Sequence, residues 1–124
     1  MKKILAIVSI VFMSINCFAE GSGSCRIESI PGAYVYANVS QVGGTDWLAF
    51  TVNAYGVEDG MVTVTVKYNV PYMGETYSYE IVKTIEFKDG KGSLPKVRAE
   101  VPTNYNNTWN IRITNVTVEN PICR

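Results

Sequence analysis

Between Met61 and Phe87 the chain alternates so strictly that this stretch constrains everything around it. Val62, Val64, Val66, Tyr68, Val70 and Tyr72 hold the even positions, with Thr63, Thr65, Lys67, Asn69 and Pro71 between them. Period two in hydrophobicity is the mark of a strand with one buried and one wetted face. Tyr72-Met73-Gly74-Glu75 supplies a turn, since Gly74 takes a positive φ without steric penalty. The return strand sets Tyr77, Tyr79, Ile81, Ile85 and Phe87 on one parity, interrupted only by Lys83. A lone hairpin is marginally stable in water, so further strands must cover its apolar face.

The N-terminal segment lies outside that fold. Lys2 and Lys3 precede an apolar run from Ile4 to Ile15, and Cys17-Phe18-Ala19 places small residues at the −3 and −1 positions of a cleavage site. This is the pattern of a secretory signal peptide, residues 1–19, and it is too short and wrongly flanked for a membrane span. Cleavage after Ala19 of the 124-residue chain leaves 105 residues, the size of one domain. Ser14-Ile15-Asn16-Cys17 also resembles a bacterial lipobox, although Asn16 is not the small residue that motif wants. In that alternative Cys17 carries a lipid and anchors the protein to the outer membrane.

Either way Cys25 and Cys123 are left as a pair. In an oxidising compartment two such cysteines bridge, here closing nearly the whole mature chain. A bridge needs Cα atoms within about 7 Å, so the domain's two ends are expected side by side. Losing Lys2 and Lys3 leaves 9 basic against 11 acidic residues, a net charge of −2. That balance implies no basic stripe for nucleic acid and no attraction to anionic membranes.

Along the mature chain, residues 20–24 (Glu-Gly-Ser-Gly-Ser) read as a flexible lead-in and residues 25–124 as the domain. Cys25 to Ile30 reads as a first strand stopped by Pro31-Gly32. From Ala33 to Ser40, Tyr34, Tyr36 and Asn38 alternate with Val35, Ala37 and Val39. From Asp46 to Tyr55, Leu48, Phe50, Val52 and Ala54 make the core face, so Trp47, Ala49, Thr51, Asn53 and Tyr55 point away from it. Asp59-Gly60 and Asp89-Gly90 mark turns. Ser93 to Val101 is a strand whose Pro95 suits an edge. Thr108 to Glu119 is the last strand. Its parity breaks between Ile113 and Val116, which either one extra residue near Asn115, a β-bulge, or a strand crossing from one sheet to the other would explain.

About seven short strands, regular turns and no amphipathic helix predict an all-β antiparallel sandwich. In strand rhythm, and in the run Phe87-Lys88-Asp89-Gly90-Lys91-Gly92 followed by Trp109-Asn110-Ile111-Arg112-Ile113, the chain resembles the immunoglobulin-like and fibronectin-III-like domains of secreted bacterial proteins. It departs from antibody domains in having no cysteine pair on facing mid-domain strands. The resemblance implies a non-catalytic binding module, because such folds carry many unrelated functions.

The chain contains no histidine, which removes the usual general base, the usual zinc ligand and every Ser-His or Cys-His nucleophile arrangement. Glu80 and Glu86 lie six residues apart on one strand, roughly 20 Å, too far for a glycosidase pair at about 5–10 Å. Glu58-Asp59-Gly60 and Asp89-Gly90 lack the dense oxygen ligands of a calcium loop and read as turns, so no metal or cofactor is expected. Three Asn-X-Ser/Thr sequons, beginning at Asn38, Asn106 and Asn115, are incidental beside a leader of bacterial type.

The eight tyrosines and two tryptophans are the more telling signal. Tyr68 and Trp109 ride on apolar faces and read as core. Trp47 and Tyr55, together with Tyr72 and Tyr105 near turns, form the candidate contact surface for a protein or glycan partner. The expectation is a secreted or periplasmic, non-catalytic binding or adhesion module of undetermined oligomeric state. An exported inhibitor or a self-assembling subunit is the alternative within the same fold, and a small carboxylate hydrolase is the alternative from another class. Intact-mass measurement of the exported protein should show a chain starting at Glu20 and lighter by two hydrogens for one disulfide. A chain starting at Cys17 with added acyl groups would establish the lipoprotein instead.

Overall fold

The computed structural model describes residues 19–103 and 108–123. It is a two-sheet all-β sandwich. In chain order the strands are β1 (Glu20–Arg26), β2 (Tyr34–Gln41), β3 (Trp47–Tyr55), β4 (Gly60–Tyr72), β5 (Glu75–Phe87), β6 (Lys91–Arg98) and β7 (Arg112–Cys123). Four of them form one sheet in the order β1-β2-β3-β6, and the other three form a second in the order β5-β4-β7. All the pairings are antiparallel.

The central hairpin is as its alternation demands. Val62, Val64, Val66, Tyr68 and Val70 are at most 1% exposed, while the intervening threonines and Lys67 face outward. Tyr72 pairs with Glu75 across the tight turn, where Met73 and Gly74 have φ of 50° and 80°. Two successive positive φ values give the primed turn that matches strand twist. Opposite this face, Val35, Ala37 and Val39 of β2 and Leu48, Phe50 and Val52 of β3 are buried in the same core. No polar or charged residue is buried among the described residues. The hydroxyl of the buried Tyr68 donates a 2.9 Å hydrogen bond to the Glu100 carbonyl beyond β6. That bond ties the middle of one sheet to the end of the other.

The last strand starts and ends later than its sequence pattern implies, at Arg112 and Cys123. Trp109 and Ile111 are buried ahead of it, held by the Trp109 N–H on the Gly44 carbonyl at 2.7 Å. The expected bulge is present: Lys67 pairs with Asn115 and Tyr68 with Ile113, which leaves Thr114 as the extra residue. Ile113, Val116 and Val118 thereby share the core face. Pro95 lies within β6 at the sheet edge, where the register shifts between Leu48 and Phe50 of β3. A residue without an N–H is tolerated there.

The N-terminus requires a correction. Residues 20–24 are not a flexible lead-in but most of β1, and the strand stops at Arg26 rather than at Ile30. By propensity glycine argues against a strand and serine does not favour one. They pair because β2 offers its edge, from Glu20 opposite Ser40 to Arg26 opposite Tyr34. Glycine is also what the packing requires. A Cβ on Gly23 would stand 2.3 Å from the Val116 carbonyl oxygen, and one on Gly21 2.8 Å from the Ile113 side chain. Thus β1 runs alongside β7 and closes the sandwich at a backbone-to-backbone seam.

Two variants check this account by urea denaturation. Gly23→Val should destabilise by about 2 kcal/mol or more through the forced seam, whereas Ser22→Val on the outward parity should change little. Met73, 83% exposed at positive φ, should tolerate Met73→Asn with a gain of a few tenths of a kcal/mol, because Asn takes that conformation more readily.

Candidate functional site

The outer face of the four-stranded sheet is built by the residues that β2 and β3 turn away from the core. The ladder registers set them in rows. Arg26, Tyr34 and Tyr55 form one row, and Ser24, Tyr36, Asn53 and Lys91 the next. Ser22, Asn38, Thr51 and Ser93 make a third, polar row. Cross-strand neighbours on one face lie about 5 Å apart, within reach of aromatic side chains. The Tyr34 and Tyr55 rings stack with centroids 4.8 Å apart and planes 25° from parallel. They remain 41% and 48% exposed, and Tyr36 36%.

Trp47 sits at the far end of the same face. The Arg98 guanidinium lies 4.2 Å from its ring centroid and the Lys96 ammonium 5.4 Å. Arg98 is itself held by Asp46, at 3.1 Å. The indole is therefore half-covered by cations, while Tyr55 stands open. Tyr72 is placed elsewhere, half-buried against Trp109 at 5.7 Å and beside Tyr77 at 6.4 Å. The structure thus brings Trp47 and Tyr55 onto one face and sets Tyr72 apart. Tyr105, Cys17 and the Cys123 side chain lie outside the described residues. Cys25 is partly buried beside the core, and since β1 and β7 run the same way it lies toward the end of the sandwich where β7 finishes.

Tyr34 and Tyr36 were not among the residues singled out from the sequence, though their signal was there. They alternate with Val35, Ala37 and Val39, and burial of the small aliphatic parity turns both rings outward. Arg26 and Lys91 carried no such signal, because only the register places them beside the tyrosines.

Carboxylates gather at one end of the sandwich. Glu58 and Asp89 line a hollow of about 450 Å³, and Asp59 and Glu86 line another of about 460 Å³. The first has no ring in its lining, and the second has Phe87 together with Lys88 and Lys91 beside the carboxylates. The Asp59 carboxylate accepts a hydrogen bond from the Asp89 backbone N–H at 3.1 Å, and the Gly90 N–H bonds the Glu58 carbonyl at 2.8 Å. These contacts hold two turns together. No group of three or more metal-ligating side chains occurs among the described residues, and no helix among them is long and apolar enough to cross a membrane. Burial raises the Tyr68 hydroxyl far above the ordinary tyrosine value, against a smaller opposing pull from its bond to Glu100. An acid held neutral by the fold stabilises it below the unfolded pKa near 10. That contribution fades as pH rises above this value, so unfolding in alkali should set in earlier for wild type than for Tyr68→Phe.

No family model, curated protein or solved structure matches the chain.

Trp47→Ala should lower stability by about 1–2 kcal/mol, the worth of partial burial and two exposed cation–π contacts. Tyr68→Ala should lose about 3 kcal/mol or more, as core aromatics do. Equal losses at the two positions in chemical denaturation would place Trp47 in the core and remove it from the face.

Proposed function

We propose that this chain is an exported, non-catalytic binding module of the immunoglobulin-like class, and that it holds a glycan on the outer face of its four-stranded sheet. The observation that carries the reading is the stacked, open pair Tyr34–Tyr55 with Tyr36 beside it. Leaving rings in water forgoes about 25 cal/mol for each Å² of apolar surface that burial would remove. A flat set of rings flanked by serine, threonine and asparagine suits the alternating apolar faces and hydroxyls of sugars. A protein hot spot more often buries its anchors in a pocket, and these rings lie on an open sheet.

The connectivity supports the class. Shifted by one strand, β2 to β7 have the neighbour relations of immunoglobulin strands A, B, C, C′, E and F: β2 beside β3, β3 beside β6, β4 beside β5 and β7. Among the described residues β1 lies along the far side of β7. In the same reading, export through residues 1–19 and a Cys25–Cys123 bridge complete the molecule, with Cys17 lipidation as the alternative attachment.

The self-assembling subunit has one observation in its favour, the 13-residue edge strand β5. Lys83 weighs against it, because it sits on the core-facing parity of that edge, opposite the buried Val64. An inward-pointing charge on an edge strand obstructs pairing with a second sheet.

The test is affinity electrophoresis of the mature protein through gels containing polysaccharides. Retardation by at least one glycan is expected, and Tyr34→Ser/Tyr55→Ser should abolish it with little change in denaturation midpoint. Retention of full binding by that double variant would overturn this face as the site.

A further inference from the structure

We infer that the glycan this face takes is acidic, bound through Arg26 and Lys91 on either side of the tyrosines; this rests on the glycan-binding reading above. The two cations come from opposite margins of the sheet, Arg26 from β1 and Lys91 from β6. Both are exposed. Their rows contain tyrosine, serine and asparagine but no carboxylate. At the other end of the face, Lys96 and Arg98 stand over Trp47, with Asp46 as the partner of Arg98.

The charge is placed against the trend of the molecule. The mature chain is net negative by the count above, and the outer face of the three-stranded sheet carries Glu80, Glu86 and Glu119 against Lys67 and Arg112. The aromatic face carries four cations, Arg26, Lys91, Lys96 and Arg98, against Glu20 and Asp46. A neutral sugar needs no such excess. Off the rows, Arg26 shares a hollow with Glu28, Lys91 shares one with Asp59 and Glu86, and the turns at the tyrosine end also hold Glu58 and Asp89, so the anion must lie on the sheet rows and away from those loops.

Strand spacing sets the geometry. Arg26 and Lys91 are separated by three strand intervals and one two-residue step, about 16 Å between their Cα atoms. One small anion cannot span that gap. A polymer with charges on more than one residue can, with a sugar ring over the tyrosines between them. The ligand class is therefore a polyanionic oligosaccharide chain, carboxylated or sulfated.

The mature protein is tested in solution against polygalacturonate, alginate and heparin, with dextran and laminarin as neutral glycans and polyglutamate as an acidic polypeptide. At least one acidic glycan should bind at least about tenfold tighter than either neutral one, and binding should weaken with added salt. Arg26→Gln/Lys91→Gln should weaken it by about five- to tenfold, as two exposed charge contacts imply. Lys67→Gln on the opposite sheet should leave it unchanged. Binding of the neutral glycans alone, lost in Tyr34→Ser/Tyr55→Ser, would overturn the acidic ligand and keep the glycan site. Polyglutamate bound as tightly as the acidic glycans would overturn the ligand class. Binding to none of them would overturn both this inference and the reading it rests on.

Discussion

The structure depends on the burial of one face of β4. That strand is paired along both edges, and its inward valines and Tyr68 are almost wholly removed from water. Since side chains alternate along a strand, a slip of one residue would expose all of them and bury threonines and Lys67 in their place. Register is therefore set by the hydrophobic effect, and the primed turn at Met73-Gly74 agrees with it. Tyr68 adds direction to a nondirectional force. Its hydroxyl has one protein acceptor, the Glu100 carbonyl, and leaving that donor buried and unmet would be unfavourable by about 1–3 kcal/mol.

A sandwich built this way has margins to manage. On one side, β1 meets β7 through Gly21 and Gly23, where any larger residue would collide with the Val116 carbonyl or the Ile113 side chain. On the other, β6 carries Pro95 and β5 carries Lys83 on its inward parity. These are different physical answers to one problem, an exposed row of backbone donors and acceptors. Close approach of backbone covers one margin, and a missing N–H or a misplaced charge spoils the others for pairing.

With the core and edges accounted for, the outer face of the four-stranded sheet stands out because core burial does not require its composition. Burial of Val35, Ala37 and Val39 forces Tyr34 and Tyr36 outward, and burial of Leu48, Phe50 and Val52 does the same to Trp47 and Tyr55. Threonine or serine in place of Tyr34, Tyr36 or Tyr55 would satisfy the core equally well, as they do on the opposite sheet at Thr63, Thr65 and Thr84, whereas Trp47 also packs under Arg98 and Lys96. Tyr34, Tyr36, Tyr55 and the flanking Arg26 and Lys91 are thus not required by the core, and the proposed binding role rests on that freedom.

Much of this architecture was legible in the chain itself. Alternation identified the β4–β5 hairpin and the inward faces of β2 and β3, and a parity break at Asn115 located the bulge, because a period-two pattern reports burial directly. Glu20 to Ser24 could not be read that way. Glycine and serine have no side-chain preference to display, and only the β2 edge and the Val116 backbone make a strand of them. The site divided along the same line. Trp47 and Tyr55 were visible as large rings on the wrong parity. Tyr34 stood on an outward parity in the same way, whereas Arg26 and Lys91 joined the face only through cross-strand register, which depends on pairing between segments far apart in the chain. Tyr72 shows the converse, since its place beside Trp109 follows from how a turn of one sheet meets the segment leading into β7. Local periodicity determined which face of β2, β3 and β4 is buried, and the long-range ladders made a strand of β1 and decided which exposed residues became neighbours.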